Sequence, residues 1–459
     1  MERDSIDFRN TAIRRLFLRF LLPTVLGMVS SAVFIVTDGI FVGRGVGSDA
    51  LAAVNLVAPV YTLATGLGLM FGMGCSVVAS VHLARGKARV AGINVTQALA
   101  VPAAGLTLAA VVLMAAWEPV LALLGTPASL LAPAREYLLW FVPFLMPIAL
   151  FNILMFTVRL DGAPNFVMGC NLLAAGLNIV LDYIFIFVCG WGLAGAAVAT
   201  GIGYTLGACI MLRYMLRRSR TLRPVALKFS PRSLRLTARN IGYMTYVGFP
   251  ALLSELAISC MMVAGNYAFI RYVGKEGVAA YSIACYLFPI IFMIYSGVIQ
   301  AAQPIISYNY GAGQNRRANK AFRLALLTAA GFGAAVCAAT WLGGNRLAGL
   351  FLTPDAPAYG HALAGLKLFS LGYLFFGINV AATGYLQSLE RGKAAAGLTA
   401  LRGIALMALA FALLPRWWGE TGIWLAVPAA ELLTALLLGA LRCASGGTAR
   451  RRVRRAAGR

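Results

Sequence analysis

A few polar side chains stand in this chain where only oil is expected. Asp38 follows the apolar run Phe34-Ile35-Val36, and Asn178 and Asp182 interrupt a second apolar run four positions apart. On a helix, that spacing puts Asn178 and Asp182 on one face, with Asn171, seven earlier, on nearly the same face. Thr200 adds a hydroxyl to an Ala/Gly-rich stretch, and Glu255 follows Pro250 by five residues. An ionisable group within a membrane span costs roughly 2.5–3.5 kcal/mol on insertion scales, so each of these marks a candidate site. Two carboxylates such as Asp38 and Asp182, facing one another in low dielectric, cannot both stay charged without a cation. They would take up a proton or bind a small ion such as Na⁺, whose natural ligands are oxygens like those of Asp, Asn and Thr. The competing reading satisfies each acid separately, with a hydroxyl or a backbone donor. Glu431, Lys367 and Arg402 are further charges within spans. They read as structural, with Lys367 and Arg402 reaching an interface by snorkelling.

The elements that must position these groups are membrane spans. The chain has 459 residues, of which 60% are hydrophobic and 12% charged, against roughly 25% charged in a soluble protein. Apolar runs long enough for a ~30 Å hydrocarbon core fall at 16–42, 52–82, 91–116, 133–158, 164–188, 193–216, 241–270, 278–308, 318–343, 361–388, 394–414 and 421–441. The second half repeats the first. At an offset of 227, Pro23 meets Pro250, Gly47 meets Gly274, Ser80 meets Ser307, Gly86 meets Gly313 and Arg89 meets Arg316. At an offset of 229, Asp161 meets Glu390, Gly190 meets Gly419 and Ala197-Val198 meets Ala426-Val427. The expected fold is therefore an all-α membrane protein. It has twelve transmembrane helices in two six-helix lobes, related by a pseudo-two-fold along the membrane normal. The expected divisions are an N-terminal lobe 1–216, a basic cytoplasmic linker 217–240, a C-terminal lobe 241–443 and a basic disordered tail 444–459.

The net charge of +24 suggests nucleic acid until its placement is read. Arg and Lys fill the N-terminus, alternate loops and the tail, whereas the other loops hold only Arg44, Arg135, Arg271, Lys275, Arg346 and Arg416. This is the positive-inside pattern, with both termini cytoplasmic, and it leaves no call for a nucleic-acid partner. The eight cysteines show no metal-ligand spacing and read as small packing residues. No P-loop, zinc-type His pair or Ser/His set is present, and His82 and His361 are far apart. Neither direct ATP drive nor enzymatic catalysis is expected, and no cofactor beyond a coupling H⁺ or Na⁺.

The run Pro23…Asp38-Gly39-Ile40-Phe41-Val42-Gly43-Arg44…Gly47…Ala50-Leu51-Ala52-Ala53-Val54-Asn55…Pro59 resembles the opening of the multidrug and toxic compound extrusion (MATE) family. So do Gly72-Met73-Gly74-Cys75-Ser76, Gly86-Lys87-Ala88 and the duplicated layout, in a manner similar to the bacterial MepA/DinF-like branch. The resemblance implies a cation site made of Asp38, Asn178, Asp182 and Thr200, exchanging H⁺ or Na⁺ for drug. Glu255 matches the acid of a second, NorM-like branch, but the tenth span holds Tyr373, Asn379 and Tyr385 and no companion carboxylate. The expected substrate cavity is lined by Met28, Ser31, Phe34, Asn152, Met155, Phe156 and Asn171, with Gln300 and Gln303 as weaker members. Met and aromatic side chains give adaptable apolar contact and hold lipophilic cations. Pro23 removes a backbone hydrogen bond and is the expected hinge of the first helix. The implied protein is a monomeric exporter of drugs or metabolites in the bacterial inner membrane. The alternative is a lipid-linked oligosaccharide flippase of the same superfamily, which would need a cationic cavity.

Overall fold

The computed structural model describes residues 7–219, 221–227 and 230–457, and among them all regular structure is helical. Spans α1 to α3 are Ile13–Gly45, Ser48–Ala84 and Ala88–Ala115. α4 occupies Ala128–Leu160, with a tight turn at Val142–Phe144 around Pro143. α5 is Pro164–Val188, and its last stretch, Tyr183–Val188, widens to a π-helix directly after Asp182. α6 is Gly192–Arg217, α7 Pro231–Tyr272, α8 Lys275–Gly311, α9 Asn315–Gly349 and α10 Pro357–Ser388. The continuous stretch Gly392–Ala440 holds the last two spans, because Gly419 breaks it with φ 54° and ψ −131°. α11 is thus 392–418 and α12 begins at 420. Most spans outrun the apolar stretch that announced them, as helices do when they continue past the hydrocarbon core.

Two expected boundaries change. The linker foreseen over 217–240 ends at Ser230, because Pro231 opens α7 and Ser230 Oγ caps the Ser233 N–H at 3.2 Å. A Ser N-cap followed by Pro is a strong helix start. Arg220 and Lys228 of that linker lie outside the described residues. The tail foreseen as disordered over 444–459 continues α12 as helix to Ala457. Residues 458 and 459 lie outside the described residues.

The repeat in sequence returns in geometry. Gly86 and Gly313 leave their spans at φ 73° and 74°, and Gly190 and Gly419 at φ 68° and 54°. This left-handed backbone favours glycine. Ser76 and Gln303 are equivalent across the repeat, and Ser76 Oγ donates to Gln303 Oε1 at 2.9 Å. A residue meets its own equivalent only close to the axis relating the two copies. The pseudo-two-fold therefore passes between α2 and α8.

Two compact units arise from this packing. The first comprises Met1–Leu256, Ser296–Leu324 and Gly384–Ala395. Within it Gly74 and Gly248 bring the backbones of α2 and α7 together, and a methyl group at either would overlap the other helix's main chain. The second comprises Ala257–Tyr295, Ala325–Thr383 and Ala396–Arg459. Its interior stacks Phe269, Tyr281, Phe369 and Trp424, with the Phe269 and Trp424 rings 4.8 Å apart. Arg402 does not snorkel, contrary to expectation. It is buried, with Nη1 3.4 Å from Glu431 Oε1 and its guanidinium 4.9 Å from the centre of the Phe376 ring. Asn379 completes the group by donating Nδ2 to Glu431 Oε2 at 2.6 Å and to the Glu431 carbonyl at 2.8 Å. A carboxylate within reach in low dielectric holds the arginine in place of the membrane interface.

Candidate cation-coupling site

Helices α1, α5 and α6 of the first unit carry the acids. Gly27 of α1 faces Asn171 of α5, where a methyl would lie 3.4 Å from Nδ2, and Gly203 of α6 packs on the Ala174 carbonyl of α5. These close approaches bring Asp38 and Asp182 side by side, within hydrogen-bonding reach once one of them carries a proton. Asp182 is wholly buried. Both of its oxygens, Asp38 Oδ1 and Asn178 Oδ1 are shut off from solvent and without a donor. Asn178 also lies against Asp182, and its Nδ2 donates to Thr200 Oγ1 at 3.2 Å. Among the described residues no Lys, Arg or His pairs with either acid.

The four residues thus form one chain of contacts, Asp38–Asp182–Asn178–Thr200. A buried acceptor without a donor costs about 1–3 kcal/mol, and more when charged. What this cluster lacks is positive charge. A proton would turn the facing carboxylates into donor and acceptor, and a small cation would take up the orphan oxygens. The π-helix that begins at Tyr183 shifts the helical register immediately after Asp182, a distortion common at functional sites.

Three tyrosines that sequence reasoning missed lie within electrostatic range of the pair. Tyr61 and Tyr204 share a hydroxyl–hydroxyl hydrogen bond of 2.9 Å, and the Asp38 charge acts on Tyr61, Tyr137 and Tyr204. The available signal was Tyr204, one turn after Thr200 and so on the same face. Glu255 of α7 lies near enough for its charge to act on Tyr61 as well, and it makes no ion pair among the described residues.

A small cavity of about 20 Å³, room for roughly one water, lies beside the cluster. Ser31 and Phe34 of α1, Phe151 of α4, Asn171 and Asn178 of α5, and Thr200 and Tyr204 of α6 line it, with Ala174, Ala175 and Gly203. Cation cluster and cavity therefore share Asn178 and Thr200. Of the residues expected to line a cavity, Ser31, Phe34 and Asn171 do so. Met155 stands behind Asn171, accepting its Nδ2 on sulfur at 3.3 Å. Asn152 donates to the Ile148 carbonyl of its own helix, Phe156 packs against Gly72, and Met28 packs against Gly297. Gln300 and Gln303 are occupied elsewhere, by Arg159 Nη1 at 3.0 Å and by Ser76. Pro23 lies buried within an unbroken α1.

Comparison with known proteins agrees with this layout. The MatE family profile matches residues 23–184 and again 250–412, two stretches that start one repeat apart. The multidrug export protein MepA of Staphylococcus aureus (strain MRSA252) is 27% identical over 435 residues, covering 94% of this chain and 93% of the relative. MepA of Staphylococcus saprophyticus is likewise 27% identical, over 434 residues, with the same coverage. Among solved structures, an outward-facing multidrug resistance MATE family transporter of the MOP superfamily superposes with a TM-score of 0.88 at 22% identity, covering 97% of this chain and 99% of that one.

Proposed function

We propose, for a chain that belongs to the MatE family, that it is a secondary active efflux transporter. It exports lipophilic, often cationic compounds in exchange for H⁺ or Na⁺ bound at Asp38, Asn178, Asp182 and Thr200. The observation that carries this reading is the pair Asp38–Asp182, in which both Asp182 oxygens and Asp38 Oδ1 are buried without a donor, and whose neighbours Asn178 and Thr200 also line the cavity. A cation and a drug that share walls exclude one another, and such exclusion is the coupling that an antiporter needs. The cavity supports cationic or neutral cargo, since it is lined by aromatic, amide and hydroxyl groups with no Lys or Arg. A flippase that handles pyrophosphate would want the opposite charge. The alternation of basic and non-basic loops supports cytoplasmic termini, in a bacterial inner membrane.

Gradients imposed on proteoliposomes test the reading. Purified protein should drive drug uptake or release when either a pH or a Na⁺ gradient is applied separately, and flux indifferent to both would defeat it. One proton moving down 100 mV supplies about 2.3 kcal/mol, enough for a drug gradient of roughly fiftyfold. Filling the cavity gives a second check. Ala175→Phe is expected to weaken drug binding about tenfold or more by overpacking, measured by ligand fluorescence in detergent. Proton or Na⁺ binding by the same variant should persist, because Ala175 lies about two turns from Asp182 along α5.

A further inference from the structure

We propose that residues 7–12, which lead into α1, are a latch that holds the cytoplasmic side of the transporter shut, and that Arg317 is the positioning residue that fastens it. The idea rests on the antiporter reading above, and its test reads accessibility rather than efflux, so the two can fail separately.

The latch is a built structure. Asp7 folds residues 7–10 into a turn: Oδ1 accepts the Arg9 N–H at 2.8 Å and the Asn10 N–H at 3.1 Å, and Oδ2 accepts Asn10 Nδ2 at 2.7 Å. The Asn10 amide first, then the Arg9 N–H, hold the Asp7 carboxyl below the usual carboxylate range. The turn is therefore intact at neutral pH and is lost only as acid titrates Asp7. The turn presents the Phe8 and Thr11 carbonyls to Arg317 Nη2, at 3.2 and 2.5 Å. Arg317 Nε is held by Asn309 Oδ1 at 2.9 Å, and Asn309 Nδ2 also reaches the Phe8 carbonyl at 3.3 Å. The Phe8 ring is buried, stacked on Tyr308 at 5.3 Å and lying 5.7 Å from Phe20. Arg317 faces no acid within ion-pair distance among the described residues, so its planar fork of donors is spent on main-chain carbonyls.

Topology gives the latch its meaning. Asn309, Tyr308 and Arg317 belong to the second repeat, whereas Phe8 and Thr11 lead into α1 of the first. The mirror arrangement holds the root of α7: Val225 exchanges hydrogen bonds with Thr96 Oγ1 at 2.8 and 3.0 Å, and Gln97 of α3 bonds Thr237 and Asn240. Each repeat's leading helix is thus rooted in the other repeat. Arg317 and Asn309 correspond to Val90 and His82 in the first half, so the arginine fastening exists only once. Asp38 ties the far part of α1 to α5, the latch ties its root to α8 and α9, and Pro23 lies between. A change of occupancy at Asp38 can open the cytoplasmic side only by releasing this root or by bending α1 against it.

Ser80 reports the closed side, because it is wholly buried and its Oγ reaches the Pro304 carbonyl of α8 at 3.4 Å. In a variant carrying Ser80→Cys as its sole cysteine, a membrane-impermeant maleimide is applied to inside-out vesicles. A sibling variant carries Ser31→Cys as its sole cysteine and is labelled from the outer face. Arg317→Ala, and separately removal of residues 2–11, are expected to raise labelling at position 80 about tenfold, the scale of a lost charge-assisted contact, and to lower labelling at position 31. The truncation carries the test should Arg317→Ala not reach the membrane. Unchanged labelling at position 80 overturns the latch, and so does a rise at both positions, which would report general loosening.

Discussion

Asp38→Asn is expected to insert and fold normally yet lose gradient-driven efflux by about 100-fold, the upper range of ordinary coupling energies. The amide is nearly isosteric with the acid and brings an N–H donor to Asp182, whose oxygens otherwise have none. It therefore imitates the occupied state permanently, and a site whose occupancy cannot change shifts no equilibrium. Drug binding should weaken as well, because a site locked in its occupied form excludes drug through the shared walls Asn178 and Thr200. Size-exclusion profiles report folding and proteoliposome flux reports coupling. Normal efflux by this variant would remove Asp38 from the mechanism.

Breaking the buried pair in the second unit should be the most damaging change to stability. Arg402→Met leaves Glu431, 1% exposed, with Asn379 as its remaining partner and no cation, a loss of about 3–5 kcal/mol. Replacing both, Arg402→Met with Glu431→Leu, removes the charge along with its partner and should recover most of that loss. Thermal denaturation in detergent distinguishes the two, and the double variant should still transport. A double variant as unstable as the single would mean that packing by the arginine stem, not charge pairing, holds this region.

Much of this architecture could be read from residues alone, because membrane insertion and duplication leave strong marks. Apolar runs and alternating basic loops give spans and order, and Pro23/Pro250 or Gly190/Gly419 give the repeat. The pairing of Asn178 with Asp182 follows from helical spacing. That Asp38 and Thr200 join them came from family likeness, since no local pattern tells which faces of three helices meet. The tyrosines escaped because an aromatic in a span usually packs or meets lipid, and the partner of Tyr204, Tyr61, lies 143 residues away. Arg317 was hidden by its surroundings: among Arg316, Lys320 and Arg323 it looks like one more topology signal. The true start of α7 was masked in the same way, because basic composition obscured the Ser230-Pro231 cap. Arg402 was misread because its partner Glu431 sits on another helix, 29 positions on.

One monovalent cation is expected to occupy the Asp38–Asp182 pair and to leave when drug binds. Proton release measured in weakly buffered detergent solution, with Na⁺ release followed in parallel, tests it directly. Drug added to the wild-type protein should liberate about one H⁺ or one Na⁺ per molecule bound, and drug added to Asp38→Asn or Asp182→Asn should liberate none. Equal release from wild type and both variants would place the coupling ion elsewhere in the molecule and contradict the account.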